Sequence, residues 1–469
     1  MPRFRIVLLV GVGGCRGTPD SNGYAPRLEC SGAVDDNISL VIAVDFTPPA
    51  GGVSWVEFGP TRDYGQQTPV VEAVGDAPVH FDLVGNAPDS VIAWHAVAET
   101  ADGTHECKGS TRTGVLPSDL TLLDVSVDLT ESAIDPEAPE SYLIGGWYQF
   151  GGVGPQIIAA RRDGTIVWYY EPTAGEPGSE GTSLDLHYAQ DGSGLLYNVY
   201  GEAGFGGLDS HIDKISLAGD TLASWTTPLA HHMFTELPDG TLTFQAIDTR
   251  SWLNPETGGI ETWTGDALVE IAPDGTQSTV FSVWDWLTPS QNAHTSEFDP
   301  YAGFDWTQGN LVHYDATKEQ YLLSLANAAD VIDIARTTDG STTVVDIYGL
   351  DGVPADPVFD YPHGPNWLEN GNLLMFMTES AGSGAIEYSL ADGTPREVWR
   401  HGFEQGALAL GQAIRLPSGN TFINYGANLT LQEVTPAGEV VWQALPKFRS
   451  ATSFPGQFMV TSNLYTGEP

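Results

Sequence analysis

From about residue 140 onward, apolar and polar positions alternate in short runs that small glycine-centred turns separate. A short apolar strand, a turn and a second strand ending in an aromatic residue or valine recur six times, 45 to 65 residues apart. Glycine accepts the positive φ of such a turn without a clash, so Asp-Gly between alternating runs predicts a hairpin. The turn glycines are Gly164, Gly219, Gly275, Gly340, Gly393 and Gly438. This period predicts a six-bladed β-propeller over residues 141–469.

A second repeated phrase predicts the inner strands of three blades. It begins at His232, His363 and Gly411, and a glycine follows eight positions later in each case. Equivalent positions lie at the same end of a propeller ring, so His232 and His363 are predicted to converge on one site. The alternative for each is a histidine that is hydrogen-bonded at a strand end. The chain's last strand is predicted at Phe458–Thr461, where it returns to close the first blade.

Residues 28–117 carry shorter alternating strands with turn signals between them. This pattern predicts a small β-sandwich of the immunoglobulin or fibronectin type. Residues 118–140 are acidic and contain proline, which is typical of a linker. The chain is therefore predicted to be all-β, with a β-sandwich followed by a propeller.

The N-terminus resembles a bacterial export signal. Arg3 and Arg5 precede a short apolar stretch, and the sequence Val-Gly-Gly-Cys ending at Cys15 resembles a lipobox. Residues 1–15 are predicted to be the signal, with Cys15 lipidated, and residues 16–27 a tether. Ordinary secretion and an unprocessed N-terminus are the alternatives. No other segment approaches the ~20 apolar residues of a membrane span. The protein is expected in the cell envelope, in the periplasm or at the outer membrane surface, attached to the membrane only by its lipid.

Two further cysteines, Cys30 and Cys107, lie near the first and last strands of the predicted sandwich. An exported protein meets an oxidising compartment, so these two are predicted to form a disulfide. Two buried free thiols are the alternative.

The net charge of −43 excludes non-specific binding of nucleic acid by a basic surface, because phosphates are repelled. A solvated acidic surface is the simplest interpretation of this charge. Cation binding is the alternative, although the chain has no calcium-binding loop of the EF-hand type. No cysteine and histidine cluster has zinc spacing. The sequence therefore predicts neither a metal nor another cofactor.

Several segments, taken in order, resemble those of the bacterial arylsulfate sulfotransferases. They surround His231 and His232, the Asp-Trp-Thr-Gln-Gly-Asn phrase ending at Asn310, His363 and Gly411, and the tail up to Tyr465. The resemblance covers residues 141–466. It implies a six-bladed propeller behind a β-sandwich, located in the periplasm or at the cell surface. It also implies transfer of a sulfuryl group from a phenolic sulfate ester to a phenol, through a transiently sulfated histidine.

Three family roles can be transferred to this chain by the resemblance. His363 matches the nucleophile, and neutral imidazole suits a two-step transfer because it is both a nucleophile and a fair leaving group. His232, or its neighbour His231, matches a supporting histidine. Asn310 matches the asparagine of the family's Asp-Trp-x-His-x-Asn phrase, in a substrate-binding role.

Two positions depart from the family pattern. Gln308 stands where the family phrase has histidine, and Ala326 stands where the family has arginine. Gln308 can donate a hydrogen bond to a substrate but cannot act as an acid or base. Loss of a charged clamp on a transferring anionic group costs roughly 10²–10³ in rate. Arg415 and Arg449 are the candidate replacements for the missing arginine.

Three functions remain open on the sequence. The first is sulfuryl transfer with His363 as the nucleophile. The second is a non-catalytic propeller that binds a ligand or protein, having lost part of the active site. The third is a different hydrolase or lyase that uses the same channel. The sequence specifies neither the donor and acceptor nor the oligomeric state.

Overall fold

The computed structural model consists of strands and turns. It describes residues 28–49, 51–72, 77–118, 120–128, 142–149, 156–171, 185–200, 207–255, 257–289, 304–349, 359–379, 382–391, 393–403, 410–447 and 453–467. Within these residues every element is a β-strand except two short 3₁₀ turns, so the all-β prediction is confirmed. No helix in the described ranges is long and apolar enough to cross a bilayer. The predicted signal with Cys15, the tether and most of the predicted linker lie outside these ranges.

The chain divides into two compact units. Unit 1 comprises Met1–Gly32, Val44–Phe81 and Ala93–Ser110, and unit 2 comprises Ala33–Ala43, Asp82–Ile92 and Thr111–Pro469. Within unit 2, the side chain of Asn37 donates a hydrogen bond to the carbonyl of Ala218, 3.1 Å away.

The first eight strands form two sheets, ordered β1-β2-β6 and β4-β3-β7-β8, and β5 also pairs with β3. The strands are β1 (Cys30–Val34), β2 (Ile42–Phe46), β3 (Val53–Gly59), β4 (Gln66–Gln67), β5 (Val71–Glu72), β6 (Val79–Leu83), β7 (Val91–Thr100) and β8 (Gly103–Arg112).

A disulfide joins Cys30 and Cys107 inside unit 1, with 6.4 Å between their Cα atoms. It is the pair that the sequence singles out. Trp94 of β7 is buried beside it, and a Cβ atom at Gly109 would lie only 2.1 Å from the Trp94 ring. Glycine at position 109 therefore makes room for the indole.

The remaining strands belong to unit 2. They are β9 (Leu122–Asp128), β10 (Tyr142–Gln149), β11 (Gln156–Arg161), β12 (Ile166–Tyr170), β13 (Leu186–Tyr188), β14 (Leu195–Val199), β15 (His211–Ile215), β16 (Thr221–Thr226), β17 (Ala230–Glu236), β18 (Leu242–Leu253), β19 (Ile260–Ile271), β20 (Gln277–Ser282), β21 (Phe304–Asp305), β22 (Gly309–Asp315), β23 (Gln320–Leu325), β24 (Asp330–Arg336), β25 (Thr342–Gly349), β26 (Pro362–Trp367), β27 (Leu373–Glu379), β28 (Gly382–Ser389), β29 (Arg396–Gly402), β30 (Gln412–Arg415), β31 (Thr421–Asn424), β32 (Leu431–Val434), β33 (Val440–Lys447) and β34 (Ser453–Thr461). The 3₁₀ turns are Val283–Asp285 and Gly426–Asn428.

These strands make six sheets, numbered here along the chain, and all pairs are antiparallel except that β21 lies parallel to β19. Sheet 1 is β12-β11-β10-β34, sheet 2 is β13-β14-β15-β16, sheet 3 is β17-β18-β19-β20 with β21 added, sheet 4 is β22-β23-β24-β25, sheet 5 is β26-β27-β28-β29, and sheet 6 is β30-β31-β32-β33-β9. In sheets 2 to 5 the first strand in sequence forms one edge, and in sheet 6 β30 forms one edge; we call these five strands the leading strands. One turn glycine of the sequence repeat lies in each of these sheets, from Gly164 in sheet 1 to Gly438 in sheet 6.

Two strands bring distant parts of the chain together. The last strand, β34, pairs with β10 in sheet 1, and Met459 lies opposite Ile144. The predicted return of Phe458–Thr461 to the first sheet is therefore confirmed. Strand β9 pairs with β33 and extends sheet 6. The predicted linker at 118–140 did not anticipate this strand, whose apolar residue Leu123 is buried.

Hydrogen bonds join each sheet to the next, and the sixth sheet to the first. The donor and acceptor pairs, in sheet order, are Trp168 Nε1 to Leu217 O, Asn198 Nδ2 to His232 O, Thr243 Oγ1 with Tyr321 OH, Asn310 Nδ2 to Pro362 O, Asn366 Nδ2 to Ala413 O and Asn424 Nδ2 to Gly456 O. Apolar side chains fill the space between these sheets, as where Phe422 and Trp442 of sheet 6 meet Phe458 of sheet 1. This order of neighbours is cyclic.

Candidate functional site

The leading strands of sheets 3, 4 and 5 are irregular where the predicted site residues lie. Their pairing with the next strand shifts register between Ala230 and Phe234, between Gly309 and Leu311, and between His363 and Asn366. Such bulges re-aim side chains and are common beside functional sites. His232 has a φ of 53° and Gln308 a φ of 45°, in the left-handed region that residues with a Cβ rarely adopt.

The strained backbone at His232 is held by its neighbours from sheet 2. The His232 carbonyl accepts a hydrogen bond from Asn198 Nδ2 at 2.6 Å and another from the Tyr200 hydroxyl. A left-handed non-glycine residue costs on the order of 1–3 kcal/mol, so the surrounding contacts must compensate for it. These two donors fix the direction of the His232 side chain.

His231 and His232 are buried next to each other. Their Nδ1 atoms lie 2.9 Å apart in a hydrogen bond, and the two rings stand almost perpendicular. The Nε2 atom of His231 lies 2.8 Å from Oδ1 of Asp266. Burial, together with the nearby His231 and His363 rings, holds the pKa of His232 well below its usual range. His363, on sheet 5, is thus near enough to contribute to the lowered pKa of His232 on sheet 3.

His363 is also buried, with only 4% of its surface exposed. Its ring forms a hydrogen bond with the backbone of Gly411, whereas Nδ1 has no hydrogen-bond partner among the described residues. The bond to Gly411 therefore uses Nε2 and leaves the lone pair on Nδ1. Burial lowers the pKa of His363 to about 4, so the imidazole is neutral at physiological pH. We refer to His231, His232 and His363 as the histidine cluster.

Asn310 supports the backbone beside His363. Its Nδ2 donates to the carbonyl of Pro362 at 3.0 Å, and its Oδ1 accepts a hydrogen bond from Ser324. Both ends of the amide are thus used by the protein. These contacts position His363, in addition to the substrate-binding role that the sequence predicts for Asn310.

Gln308 also contacts the start of β26. Its Oε1 accepts a hydrogen bond from the hydroxyl of Tyr361, two residues before His363. Ala326 is fully buried, and its backbone amide donates to the carbonyl of Gln308 at 3.0 Å. The two positions that depart from the family pattern are therefore neighbours in space, next to the segment that carries His363.

Arg415 lies away from the histidine cluster. Its Nη2 atom is 2.8 Å from Oε2 of Glu387, and Glu387 also accepts hydrogen bonds from Asn370 and Asn372 in the turn after β26. His363 is at the other end of that strand. The structure therefore does not bring Arg415 to the histidines, and the other candidate replacement, Arg449, lies outside the described residues.

The Arg415 contact belongs to a set of similar contacts between sheets. In each, a buried glutamate on the third strand of one sheet binds an arginine of the following sheet. The members of this set, which we call the inter-sheet ion pairs, are Glu270–Arg336, Glu387–Arg415 and Glu433–Arg162. Arg250, Arg400, Lys214 and Lys447 also lie within ion-pair distance of carboxylates. None of these cations contacts the histidine cluster.

Asp266 is the main residue of the site that the sequence analysis missed. It is 2% exposed and accepts hydrogen bonds from Thr307 Oγ1 at 2.5 Å and from the Gly309 amide at 2.7 Å. Gln245 is fully buried beside it, and neither atom of its amide has a hydrogen-bond partner in the described part of the chain. Asp266 is on β19, outside the repeated phrases, so only the three-dimensional pairing of strands reveals it.

Across the described ranges, no three histidine, cysteine, aspartate or glutamate side chains gather in a way that could hold a metal ion. The chemistry available at the histidine cluster is that of imidazoles: His232 and His363 have lowered pKa values, and His231 lies beside the carboxylate of Asp266. Such groups act as nucleophiles and as general bases.

Comparison with solved structures gives only distant likenesses. A protein of unknown function from Bacteroides caccae is 14% identical over 68% of this chain and 98% of its own, with a TM-score of 0.40. A periplasmic gluconolactonase from Pseudomonas aeruginosa is 14% identical over 68% of this chain and 99% of its own, with a TM-score of 0.40. A putative 6-phosphogluconolactonase from Bacteroides fragilis is 12% identical over 70% of this chain and 99% of its own, with a TM-score of 0.39. Likenesses this weak support no conclusion about activity.

No curated protein matches the chain. A family model does match it: residues 153–343 fit the model described as Arylsulfotransferase (ASST). The matched stretch contains His231, His232, Asp266 and Asn310, and it ends before His363. This match confirms, for that stretch of the chain, the resemblance to the arylsulfotransferase family predicted from the sequence.

Proposed function

We propose that sheets 1 to 6 are the blades of a six-bladed β-propeller, preceded by a β-sandwich of the immunoglobulin or fibronectin type over residues 28–117. The cyclic order of the hydrogen bonds between sheets supports the ring. The pairing of β34 with β10 supports closure by the two ends of the domain. In such a ring the leading strands line a central channel, and the histidine cluster faces that channel.

We propose that the protein moves a sulfuryl group from a phenolic sulfate ester to a phenol through a sulfated His363. The family match supports this general reaction. The observation that supports the choice of His363 is its buried Nδ1, which lacks a hydrogen-bond partner among the described residues and belongs to a neutral ring. A neutral imidazole nitrogen with an unengaged lone pair is a competent nucleophile.

The reaction has two halves. In the first, the lone pair of His363 Nδ1 attacks sulfur, an N–S bond forms, and the S–O bond to the donor phenol breaks with its electron pair on the phenolate oxygen. In the second, the acceptor phenol oxygen attacks sulfur, the N–S bond breaks, and its electron pair returns to Nδ1. The acceptor's proton passes to a base as its oxygen attacks. The overall exchange consumes no cofactor.

The test is turnover of p-nitrophenyl sulfate with phenol as the acceptor, followed as release of nitrophenolate and formation of phenyl sulfate. The unaltered protein is expected to transfer the group, and His363→Ala to lose the activity while keeping its thermal unfolding transition. His401, a half-buried histidine on the edge strand β29, supplies the matched control, because His401→Ala should transfer at the original rate. Absence of transfer by the unaltered protein over a range of acceptors and salt concentrations would rule out the proposal.

A second candidate is a non-catalytic propeller that binds a ligand or protein through the same channel. Two observations favour it: the arginines of the inter-sheet ion pairs are already bound to carboxylates, and Ala326 stands where the family has arginine. A sulfuryl group carries negative charge in both halves of the reaction, and an arginine clamp would stabilise it. Binding of phenyl sulfate or a phenol without any turnover would support this candidate over the first.

We further propose that the protein is exported and attached to the cell envelope by lipid on Cys15. The support is the charged start, the short apolar stretch and the lipobox-like sequence before Cys15. The disulfide between Cys30 and Cys107 is consistent with an oxidising compartment. Incorporation of labelled palmitate that Cys15→Ser abolishes would support the anchor, and unlabelled protein in the membrane-free fraction would contradict it.

A further inference from the structure

Gln308 is held by its backbone beside the segment that carries His363. Its amide N–H donates to Oδ1 of Asp305 at 2.9 Å, and its carbonyl accepts from the Ala326 amide at 3.0 Å. Its φ of 45° lies in the left-handed region, where a residue with a Cβ stays only if its neighbours hold it. Residues held in this way are common at ligand-binding positions. The fold therefore sets the direction in which the Gln308 side chain leaves the backbone.

The hydroxyl of Tyr361 sets the orientation of the Gln308 side-chain amide. This hydroxyl donates to Oε1 of Gln308, so the oxygen is the end of the amide that faces Tyr361. Burial raises the pKa of Tyr361, and the charge of Asp305 raises it further, so the hydroxyl keeps the proton that it donates. An amide held by its oxygen presents its two N–H donors on the other side.

The donors of the Gln308 amide are available to a ligand. Gln308 is half-buried, and its Nε2 atom makes no hydrogen bond within the described residues and is not itself buried. Gln245 offers a contrast, because its Nε2 would lie 2.6 Å from a Cβ at Gly309 but its side chain is fully buried. A substrate can therefore reach the amide of Gln308 and not that of Gln245.

The Gln308 amide also lies close to the reacting group. Gln308 and Asn310 bind Tyr361 and Pro362, the two residues that directly precede His363. A sulfuryl group on His363 carries negative charge on its oxygens. Fixed N–H donors stabilise such oxygens in the transition state, and glutamine amides are among the groups that proteins use for this.

We propose that Gln308 donates a side-chain N–H to an oxygen of the transferring sulfuryl group, and that Tyr361 is the positioning residue that orients this donor. This inference rests on the proposed function. The neutral donor supplies part of the stabilisation that an arginine at position 326 would give. No proton changes hands in this contact. The same sulfuryl oxygens are present when the donor S–O bond breaks and when the N–S bond to His363 breaks, so the contact acts in both half-reactions.

Two variants at position 308 test the direction of the hydrogen bond. The first half-reaction is followed as the burst of nitrophenolate from p-nitrophenyl sulfate without acceptor, and the second as loss of the sulfuryl group to phenol by mass spectrometry. Gln308→Leu should slow both by roughly 10²-fold, the lower end of the loss on removal of one such donor. Gln308→Glu keeps an oxygen for Tyr361 but turns a second oxygen toward the sulfuryl group, so it should be slower still. A rate for Gln308→Glu equal to or above that of Gln308→Leu would overturn the inference.

Tyr361→Phe tests the positioning role. It should lower kcat of transfer roughly tenfold, about the effect of one neutral hydrogen bond, and leave KM for p-nitrophenyl sulfate unchanged. In the Gln308→Leu background the same change should alter the rate by less than about twofold, because Tyr361 acts only through Gln308. Tyr169→Phe is the matched control, since the Tyr169 hydroxyl donates to Ser39 Oγ at 3.0 Å, and it should transfer at the original rate.

The outcomes separate this inference from the proposed function. The original rate in Gln308→Leu or in Tyr361→Phe would overturn only the inference, as would an equal loss from Tyr361→Phe in both backgrounds. Thermal unfolding shows which variants fold, and if Tyr361→Phe does not, the comparison of Gln308→Leu with Gln308→Glu still decides. No transfer by the unaltered protein would overturn the proposed function, and this inference with it.

Discussion

The inter-sheet ion pairs and the histidine cluster are two buried polar regions that handle charge in opposite ways. In the ion pairs, each carboxylate of Glu270, Glu387 and Glu433 contacts a guanidinium. In the histidine cluster, burial lowers the pKa of His232 and of His363. The ion pairs keep their charges by pairing them, whereas the rings of His232 and His363 are neutral at physiological pH.

This difference indicates that the ion pairs contribute to stability and that the histidine cluster is the better candidate for chemistry. A buried charged group that is paired with an opposite charge is a poor nucleophile, acid or base, because its partner occupies its lone pairs or protons. A neutral buried imidazole keeps its lone pair, and burial costs it little. The arginines in the ion pairs therefore stabilise the fold. The groups that keep a lone pair for chemistry are the neutral imidazoles of His232 and His363.

Breaking the most buried ion pair should have the largest effect on stability. Arg162→Met leaves Glu433, which is 1% exposed, as a buried carboxylate without its guanidinium. The free energy of unfolding should fall by about 3–5 kcal/mol. Chemical denaturation measures the change, and the rate of sulfuryl transfer per folded molecule should not change. The double variant Arg162→Met/Glu433→Gln should recover much of the loss, and an equal loss in both variants would contradict the ion-pair account.

The free energy of unfolding should depend on pH because of the buried His363. The pKa of His363 falls from 6.5 to about 4 on folding, so between these values the unfolded chain binds a proton that the folded chain does not. Stability is therefore lost as pH falls from about 6.5 to about 4. The loss due to His363 should be roughly 3 kcal/mol. Unfolding free energies of the unaltered protein and His363→Asn, compared across this range, measure it, and parallel curves would contradict the lowered pKa.

The pair at Arg415 should be worth less than the pair at Arg162. The Arg415 side chain is 26% exposed, and Asn370 and Asn372 still donate to Glu387 when the guanidinium is removed. Arg415→Met should cost about 1–2 kcal/mol of unfolding free energy. It should leave sulfuryl transfer unchanged, because Arg415 binds Glu387 at the far end of β26 from His363. A strong loss of transfer with little loss of stability would restore Arg415 as a substrate-binding residue.

The repeat in the sequence predicted much of the fold because its signals are local. A glycine that must adopt positive φ marks each turn, and alternation marks the strands on both sides. The pairing of β34 with β10 was also predictable, since a ring needs its first and last strands to meet. Strand β9 was not, because its residues Leu122–Asp128 sit in an acidic, proline-containing stretch whose pattern resembles a linker.

The site was predictable only where it lies in the repeat. The matched positions of His232 and His363 predict their convergence on one site, and His363 contributes to the lowered pKa of His232. Asp266 was missed because its contact with His231 joins β17 to β19 across the intervening strand. Arg415 was a candidate for the missing arginine because sequence alone does not reveal that Glu387 binds it.

The most direct measurement is the site of sulfation after a single turnover. The protein is mixed with p-nitrophenyl sulfate without acceptor, quenched under conditions that preserve a sulfated imidazole, digested and analysed by mass spectrometry. The account predicts a burst of nitrophenolate equal to the protein present and one sulfuryl group on the peptide that contains His363. Release of nitrophenolate with no adduct, or with the sulfuryl group on another residue, would contradict it.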